Sequence, residues 1–271
     1  MVWAGKQVAL ALALTLALSC GALGSASGAA FEIETSGFVS AELRGFADAP
    51  LSARQRRHSA SVAIQPEFYG EWDGGAQSVL LVPFARFDCA HIERTHWDIR
   101  ELMWRYARDE WELTVGIGKV FWGVTESQHL VDIINQTDLV ESQDGDDKLG
   151  QPMITASFSQ DWGVLDLFVL PGFRERTFPG ERGRLRTQPR VDATQARFES
   201  GAGRGHIDIA ARWSHTFDTV DVALSHFYGT SRDPIFITGL TSAREVVLIP
   251  FYKRIHQTGL DLQYTDDAWL W

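Results

Sequence analysis

The chain alternates apolar and polar residues along many short runs, and this period of two is the feature that most restricts its fold. In residues 31–46, FEIETSGFVSAELRGF, apolar side chains at Phe31, Ile33, Val39 and Leu43 are separated by polar ones. Successive side chains of a β-strand point to opposite faces, so this run predicts a strand with one apolar and one polar face. The sequence therefore predicts an all-β fold. Comparable runs occur at 59–72, 77–87, 96–107, 111–119, 151–160, 163–170, 206–217, 220–229 and 255–265.

The connections between these runs alternate between short turns and long segments. The short turns lie at 73–76, 108–110, 160–162, 218–219 and 266–267. The long segments lie at 47–58, 88–95, 120–150, 171–205 and 230–254. Outer-membrane β-barrels have short turns on one rim and longer loops on the other, and their strands place about 9–11 residues in the membrane. The alternation predicts an antiparallel transmembrane β-barrel.

The end of the chain fits a complete barrel poorly. About ten full strands precede DDAWLW, residues 266–271, which resembles a turn and the start of another strand. Single-chain bacterial barrels have even strand numbers, and an open edge in lipid leaves backbone groups unpaired. We therefore expect a truncated barrel that lacks its C-terminal strands.

The first 30 residues have the layout of a secretory signal peptide. Lys6 precedes the apolar run VALALALTLALS, and the small residues GSASGAA follow it. The apolar run has about 12 residues, whereas a membrane-spanning helix needs about 20. The predicted organisation is a signal peptide at 1–30 and a barrel at 31–271. Lipid attachment at Cys20 is an alternative, although Ala17 stands where lipoproteins usually carry a larger aliphatic residue.

Composition restricts the partners. The net charge of -10 argues against a nucleic-acid partner, which would need a basic surface. The expected partners are outer-membrane lipid and small hydrophilic solutes, with a homo-oligomer left open and no cofactor. Aromatic residues near predicted strand ends fit interfacial girdles, or alternatively the core of a soluble exported β protein. They are Phe46, Trp72, Trp97, Trp111, Trp162, Phe217 and Tyr264.

The segment from Gly118 to Glu141, GKVFWGVTESQHLVDIINQTDLVE, carries a resemblance. Together with the preceding strands it resembles the porin-like outer-membrane proteins of proteobacteria, in which a GK…WG…D…N…DL loop follows a strand-turn-strand. The matching residues include Glu101, Trp104, Gly118, Lys119, Trp122, Gly123, Asp132, Asn135, Asp138 and Leu139. Many such proteins have Pro after the Asn, where this chain has Gln136. The resemblance implies a barrel that passes small hydrophilic solutes by diffusion.

The same segment is expected to narrow the pore. Thr125 and Gln128 have capping-box spacing, which predicts a short helix at about 126–134. The segment is acidic, and the next long one, 171–205, is rich in Arg. Opposed charges would set a field across a constriction, although two solvated outer loops are an alternative. The predicted pore-lining or constriction residues are Glu101, Arg105, Lys119, Trp122, Glu126, Asp132, Asn135, Asp138, Asp208 and Arg212.

Enzymatic patterns are weak. His129 and Asp132 have no HExxH context, and the acidic turn at 144–148 lacks the spacing of an EF-hand. Ser214–His215 and Ser225–His226 raise the possibility of an outer-membrane lipid hydrolase, but adjacent strand residues face opposite sides. We predict that the chain is no enzyme and has no metal site. A non-conducting barrel for assembly, secretion or surface binding is the main alternative to a channel.

Overall fold

The computed structural model of the chain describes residues 9–17, 32–122, 132–266 and 269–270. Within them lie three single-turn 3-10 helices, at Ile92–Arg94, Ala193–Gln195 and Gly203–Gly205. No described helix has the length and apolar character needed to cross a membrane. The strands are β1 (Ala9–Ala17), β2 (Glu32–Phe46), β3 (His58–Trp72), β4 (Gln77–Asp88), β5 (His96–Ala107), β6 (Trp111–Gly118), β7 (Gln151–Gln160), β8 (Gly163–Pro171), β9 (Arg197–Phe198), β10 (Ile207–Phe217), β11 (Val220–Thr230), β12 (Ile235–Leu240), β13 (Val246–Tyr252), β14 (Arg254–Asp266) and β15 (Trp269–Leu270).

Most strands form one antiparallel sheet in which neighbours in sequence are neighbours in space. Its order is β1-β2-β3-β4-β5-β6-β7-β8-β10-β11-β14-β15. The all-β prediction is confirmed, and the ten central strands of this sheet coincide with the ten runs predicted from alternation. The sheet is not closed on itself.

The segment 230–254, predicted as a long loop, contains a hairpin, so that prediction was wrong. Strands β12 and β13 pair from Ile235↔Phe251 to Leu240↔Val246, and β13 continues the small sheet by parallel pairing with β9. The turn is closed by the Arg244 amide, which donates to the Thr241 carbonyl. The apolar runs on both sides of this turn are the signal that the prediction missed.

Strand β1 lies within the predicted signal peptide. It pairs with β2 from Ala9↔Phe46 to Ala17↔Phe38 and so covers one edge of the sheet. Cleavage after residue 30 stays a prediction. Cys20 and the lipid attachment considered for it lie outside the described residues.

The main sheet has two faces of opposite character. The inner face is the one against which the long loops pack, and the outer face carries no described element. On β3 the outer residues Val62 and Ile64 are 52% and 47% exposed, whereas the inner residues Ser59 and Ser61 are buried. The same holds farther along the sheet, where Leu167, Val169, Ile207, Ile209 and Leu224 are exposed large hydrophobic residues.

Most of the aromatic residues predicted for girdles are exposed. Trp97, Trp111, Trp162, Phe217 and Tyr264 belong to this exposed set. Phe46 does not, because it is buried with the Arg184 guanidinium 4.9 Å from its ring centroid. The interfacial interpretation of Phe46 was therefore wrong: a loop cation covers it from the inner side.

A β-bulge interrupts the pairing of β4 with β5. Pro83 pairs with Ile99 while its neighbour Val82 pairs with Glu101, so Arg100 is the extra residue. Proline has no amide hydrogen to give to the ladder, which makes Pro83 a suitable site for such an irregularity. The bulge brings both Arg100 and Glu101 to the inner face.

Candidate functional site

The candidate site is built around a segment that runs across the inner face, residues 132–149, here called the crossing segment. Near its start, Ile133 and Ile134 join a buried cluster with Phe168, Leu170 and Phe227 of β8 and β11. Farther on, the Val140 carbonyl accepts from Arg94 Nε at 3.1 Å, and Glu141 Oε2 accepts from Arg86 Nε at 2.7 Å. Because Arg86 belongs to β4 and Arg94 follows it, the segment reaches from one part of the sheet to another.

Asp138 is the most deeply buried charge of the crossing segment, with no exposed surface. Its Oδ2 lies 2.8 Å from Arg100 Nη1, and its Oδ1 accepts from Thr177 Oγ1 at 2.5 Å. Burial alone would raise the pKa of this carboxyl, but Arg100 and Thr177 outweigh it and hold the pKa below its usual value. Asp138 therefore attaches the segment to the β5 bulge as an ionised group.

Arg232 anchors the start of the crossing segment from the other side. Its Nε donates to the Ile134 carbonyl at 2.9 Å, and its Nη1 lies 2.5 Å from Asp208 Oδ2. The guanidinium stands over the rings of Phe173 and Phe227. Asp208, predicted as a pore-lining residue, is buried and holds this anchor instead of facing open space.

A second ionic cluster holds the far end of the segment. Arg94 Nη1 lies 3.1 Å from Asp88 Oδ2, and its Nη2 lies 3.0 Å from Glu42 Oε2. Glu141 meets Arg86 at 2.7 Å and His96 at 3.5 Å. Burial of Glu141 outweighs the neighbouring positive charges, so its pKa lies above the usual value. Buried charges are tolerated when they are paired in this way.

Asn135 closes the base of the loop that contains the crossing segment. Its Oδ1 accepts from the Val120 amide at 2.7 Å, and its Nδ2 donates to the carbonyls of Gly118 and Leu149. One side chain thus joins the strand that leaves the sheet to the strand that returns. Trp122 packs edge-on against Phe168 at 5.3 Å, and its amide donates to Asp132.

A layer from the next long loop lies on the crossing segment. Thr177 forms a parallel bridge with Asp138, and Arg176 Nε donates to Gln136 Oε1 at 3.1 Å. Arg174 pairs with Asp98 at 2.9 Å and donates to the Gly150 carbonyl. Part of the Arg-rich segment therefore packs onto the acidic one and onto the sheet, which differs from two loops facing each other across open space.

The inner face is more open near the short turns. There Arg105 pairs with Glu112 at 2.6 Å. Arg212 also lies on the inner face, where it borders a recess of about 470 Å³. Glu101 lies on the inner side of the bulge, opposite the buried Val82. Lys119 borders a second recess of about 250 Å³ with Asp132, Asn135 and Asp147.

The structure brings some of the predicted site residues together and separates others. Trp122, Asp132, Asn135 and Asp138 share the loop base and the crossing segment, whereas Arg105 and Arg212 lie toward the short turns. Glu126 and His129 lie outside the described residues, as does most of the predicted helix at 126–134. Its described end, 132–134, is not helical.

Sequence reasoning missed the arginines that hold the crossing segment, namely Arg86, Arg94, Arg100 and Arg232. Arg86 occupies the polar phase of β4, which was an available signal for the inner face. Arg100 follows no simple alternation because the bulge shifts the phase at that residue. Arg232 lies in a loop, and only its tertiary contacts distinguish it from other loop arginines.

The described residues contain no group of three or more His, Cys, Asp or Glu side chains that could hold a metal ion. His215 stacks with Trp213 and meets Phe217 edge-on, and both Ser214 and His215 line the recess beside Arg212. The chain matches no known protein-family profile, no curated protein and no solved structure. The two faces of the sheet and the crossing segment are therefore the features of this chain that bear on its function.

Proposed function

We propose that this chain is an outer-membrane β-barrel protein through which small hydrophilic solutes diffuse, with the lumen narrowed by the crossing segment. The observation that carries the proposal is the inverted polarity of the sheet. Large hydrophobic residues occupy exposed outer positions, and buried Ser, Asp and Arg side chains lie on the inner face. Membrane barrels have an apolar outward band and a polar interior, which is the same arrangement.

The size of the apolar surface supports lipid as the partner of the outer face. Soluble monomers rarely expose contiguous apolar patches larger than a few hundred Å². Here exposed hydrophobic residues follow one another from β2 to β14, with examples at Leu43, Val62, Leu102, Ile154 and Leu260. Each buried Å² of such surface contributes about 25 cal/mol, so transfer of this face from water to lipid is favourable.

Cell fractionation and single-channel recording test the proposal together. We expect the purified protein to partition with outer membranes and to produce conductance steps in planar bilayers. Recovery in the soluble periplasmic fraction would contradict the membrane assignment and favour a soluble exported β protein. Recovery with outer membranes but without conductance under several voltages and salts would contradict the channel.

A second candidate is a non-conducting barrel that serves in assembly, secretion or surface binding. The specific observation in its favour is the firm packing of the crossing segment, since Ile134, Gln136 and Asp138 are almost fully buried. A segment that Arg100 and Arg232 hold in place would be able to close the lumen completely instead of only narrowing it. Conductance that appears only after Arg232→Ala would favour an obstructed barrel over a permanently open channel.

A further inference from the structure

The recess beside Arg212 is bordered by two groups of opposite charge, Arg212 and Asp261. It has a volume of about 470 Å³, within the range of about 300–1,000 Å³ typical of small-molecule sites. It lies on β7, β8, β10, β11 and β14 toward the short turns. Its lining includes Gln160, Arg212, Ser214, Thr216, Ala223 and Asp261.

Arg212 and Asp261 carry opposite charges and attract each other. Arg212 Nε and Asp261 Oδ2 are both shielded from solvent and have no hydrogen-bond partner. Asp166 stands directly opposite Arg212 in the register, but its carboxylate accepts instead from Ser157 Oγ at 2.5 Å. Asp221 likewise accepts from Thr216 Oγ1. Asp166 and Asp221 thus accept from neighbouring hydroxyl groups, whereas Arg212 Nε and Asp261 Oδ2 have no such partner.

The residues between the two charges are small. Ser225 pairs with both Arg212 and Gly259, and Ala223 pairs with Asp261. Arg212 and Asp261 lie two strands apart, which is about 9–10 Å across a sheet, and are offset by two residues along the strands. Ala223 borders the recess together with Arg212 and Asp261, and its small side chain leaves space between the guanidinium and the carboxylate. This space would suit a ligand that carries opposite charges at its two ends.

We propose that this recess binds small zwitterions that carry a carboxylate and an ammonium group, in the size class of free amino acids. The Arg212 guanidinium would donate paired hydrogen bonds to the ligand carboxylate, a geometry for which arginine is well suited. The Asp261 carboxylate would accept from the ammonium group, and Ser214 adds a hydroxyl to the wall. The inference rests on the proposed function, because it takes the inner face to be open to solutes.

Binding in detergent micelles tests the inference without requiring conduction. Glycine and glycolamide have the same atomic composition, but only glycine is a zwitterion at neutral pH, so the pair separates charge from size. We expect saturation-transfer or calorimetric titration to give roughly tenfold tighter binding of glycine, as for the loss of charged hydrogen bonds. Arg212→Gln and Asp261→Asn should each reduce this preference toward one.

Arg105→Gln is the matched control, because Arg105 is also on the inner face but is paired with Glu112. It should leave the glycine preference unchanged. Equal binding of glycine and glycolamide, or a preference that survives both recess variants, would overturn the inference. If a variant does not fold, the comparison of the two ligands on the unaltered protein still decides the matter.

The result is separable from the channel proposal. Glycine preference without bilayer conductance would support the recess and reject the open channel. Conductance without any glycine preference would reject the recess and leave the channel in place.

Discussion

The crossing segment and the recess beside Arg212 handle charge in different ways. On the loop side, Arg100, Arg232 and Arg94 each meet a buried carboxylate at hydrogen-bond distance. At the recess, Arg212 Nε and Asp261 Oδ2 have no hydrogen-bond partner. The first arrangement fixes loops onto the sheet, whereas the second leaves charge available to solutes. The same residue types thus attach loops to the sheet in one region and are available to bind solutes in the other.

This contrast teaches that the position of a charge on the inner face does not define its role. Asp208 and Arg212 are four residues apart on β10 and both face inward. Asp208 is buried against Arg232 and Thr230, while Arg212 borders the recess. What separates them is the crossing segment, which packs over the loop side only.

The largest expected effect comes from Asp138→Asn. Breaking a buried ion pair by removing one partner typically costs about 3–5 kcal/mol, because it leaves the other charge unpaired. Here Arg100 would keep its second carboxylate partner, Asp98 at 3.2 Å, so the loss should lie toward the lower end of this range. Urea unfolding followed by heat-modifiable gel migration measures the loss. Asp261→Asn is the control, and a loss of similar size there would remove the contrast between the two regions.

A constriction lined by Asp132 and Asp138, as the sequence predicts, would respond to their neutralisation with a change in ion preference more than in stability. The burial of Asp138 alters that expectation for this residue. A change in reversal potential without any loss of stability would show that Asp138 faces water and would contradict the packing described above.

A charge introduced on the outer face should have the next largest effect on stability. Leu224→Lys places an ammonium group on the outer face of β11, where a membrane barrel would lose about 2–4 kcal/mol near the bilayer midplane. Ser214→Lys, on the inner face beside the recess, should cost much less. Unfolding from lipid vesicles measures both changes. Equal tolerance of the two substitutions would speak against lipid on the outer face.

Gly180→Ala should disturb the loop side to a smaller extent. A Cβ at residue 180 would stand 1.7 Å from Glu93 Oε1, so the Glu93 side chain would have to move. The Glu93 carboxylate is the end of a flexible side chain, so its displacement should cost no more than about 1 kcal/mol. Gly201→Ala is the matched control, since a Cβ there has no neighbour within 4 Å. Comparable thermal stability of the two variants would contradict tight packing around Glu93.

The smallest expected effect is the gradual decrease in the free energy of unfolding as the pH is lowered. The folded pKa of Asp138 lies below its ordinary value of 3.8, so its contribution is present above that pH. The contribution decreases as the pH falls from about 4 through the folded pKa, by at most about 1.4 kcal/mol per pH unit. Asp138→Asn should therefore flatten the acid limb of the stability curve. Parallel acid limbs in the two proteins would contradict an ionised Asp138.

Alternation predicted the strands well because the apolar and polar faces of a strand are visible in its own short stretch of sequence. The runs at 206–217 and 220–229 correspond closely to β10 (Ile207–Phe217) and β11 (Val220–Thr230). The hairpin at 235–252 carried a comparable local signal, which was overlooked within a segment assigned to a loop. Membrane insertion and conduction stay predictions.

The crossing segment could not be predicted at the same level, because its contacts join distant parts of the chain. Arg100 and Asp138 are 38 residues apart, and Arg232 and Ile134 are 98 apart. Nothing near Arg232 in the sequence marks it as an anchor. The acidity of the loop was visible, but whether Asp138 would face water or Arg100 depended on the fold.

The bulge at Val82 and Pro83 determines which positions of β5 would be accessible in a cysteine scan. Before the bulge, Trp97 and Ile99 are the outward residues, and after it Leu102 and Trp104 are. Odd numbers face outward in the first part and even numbers in the second. If single cysteines are introduced along β5, the positions that face outward should therefore be odd-numbered before Arg100 and even-numbered after Glu101. Deleting Arg100 would restore one regular alternation of inward and outward residues along β5. It would also remove the cation that holds Asp138.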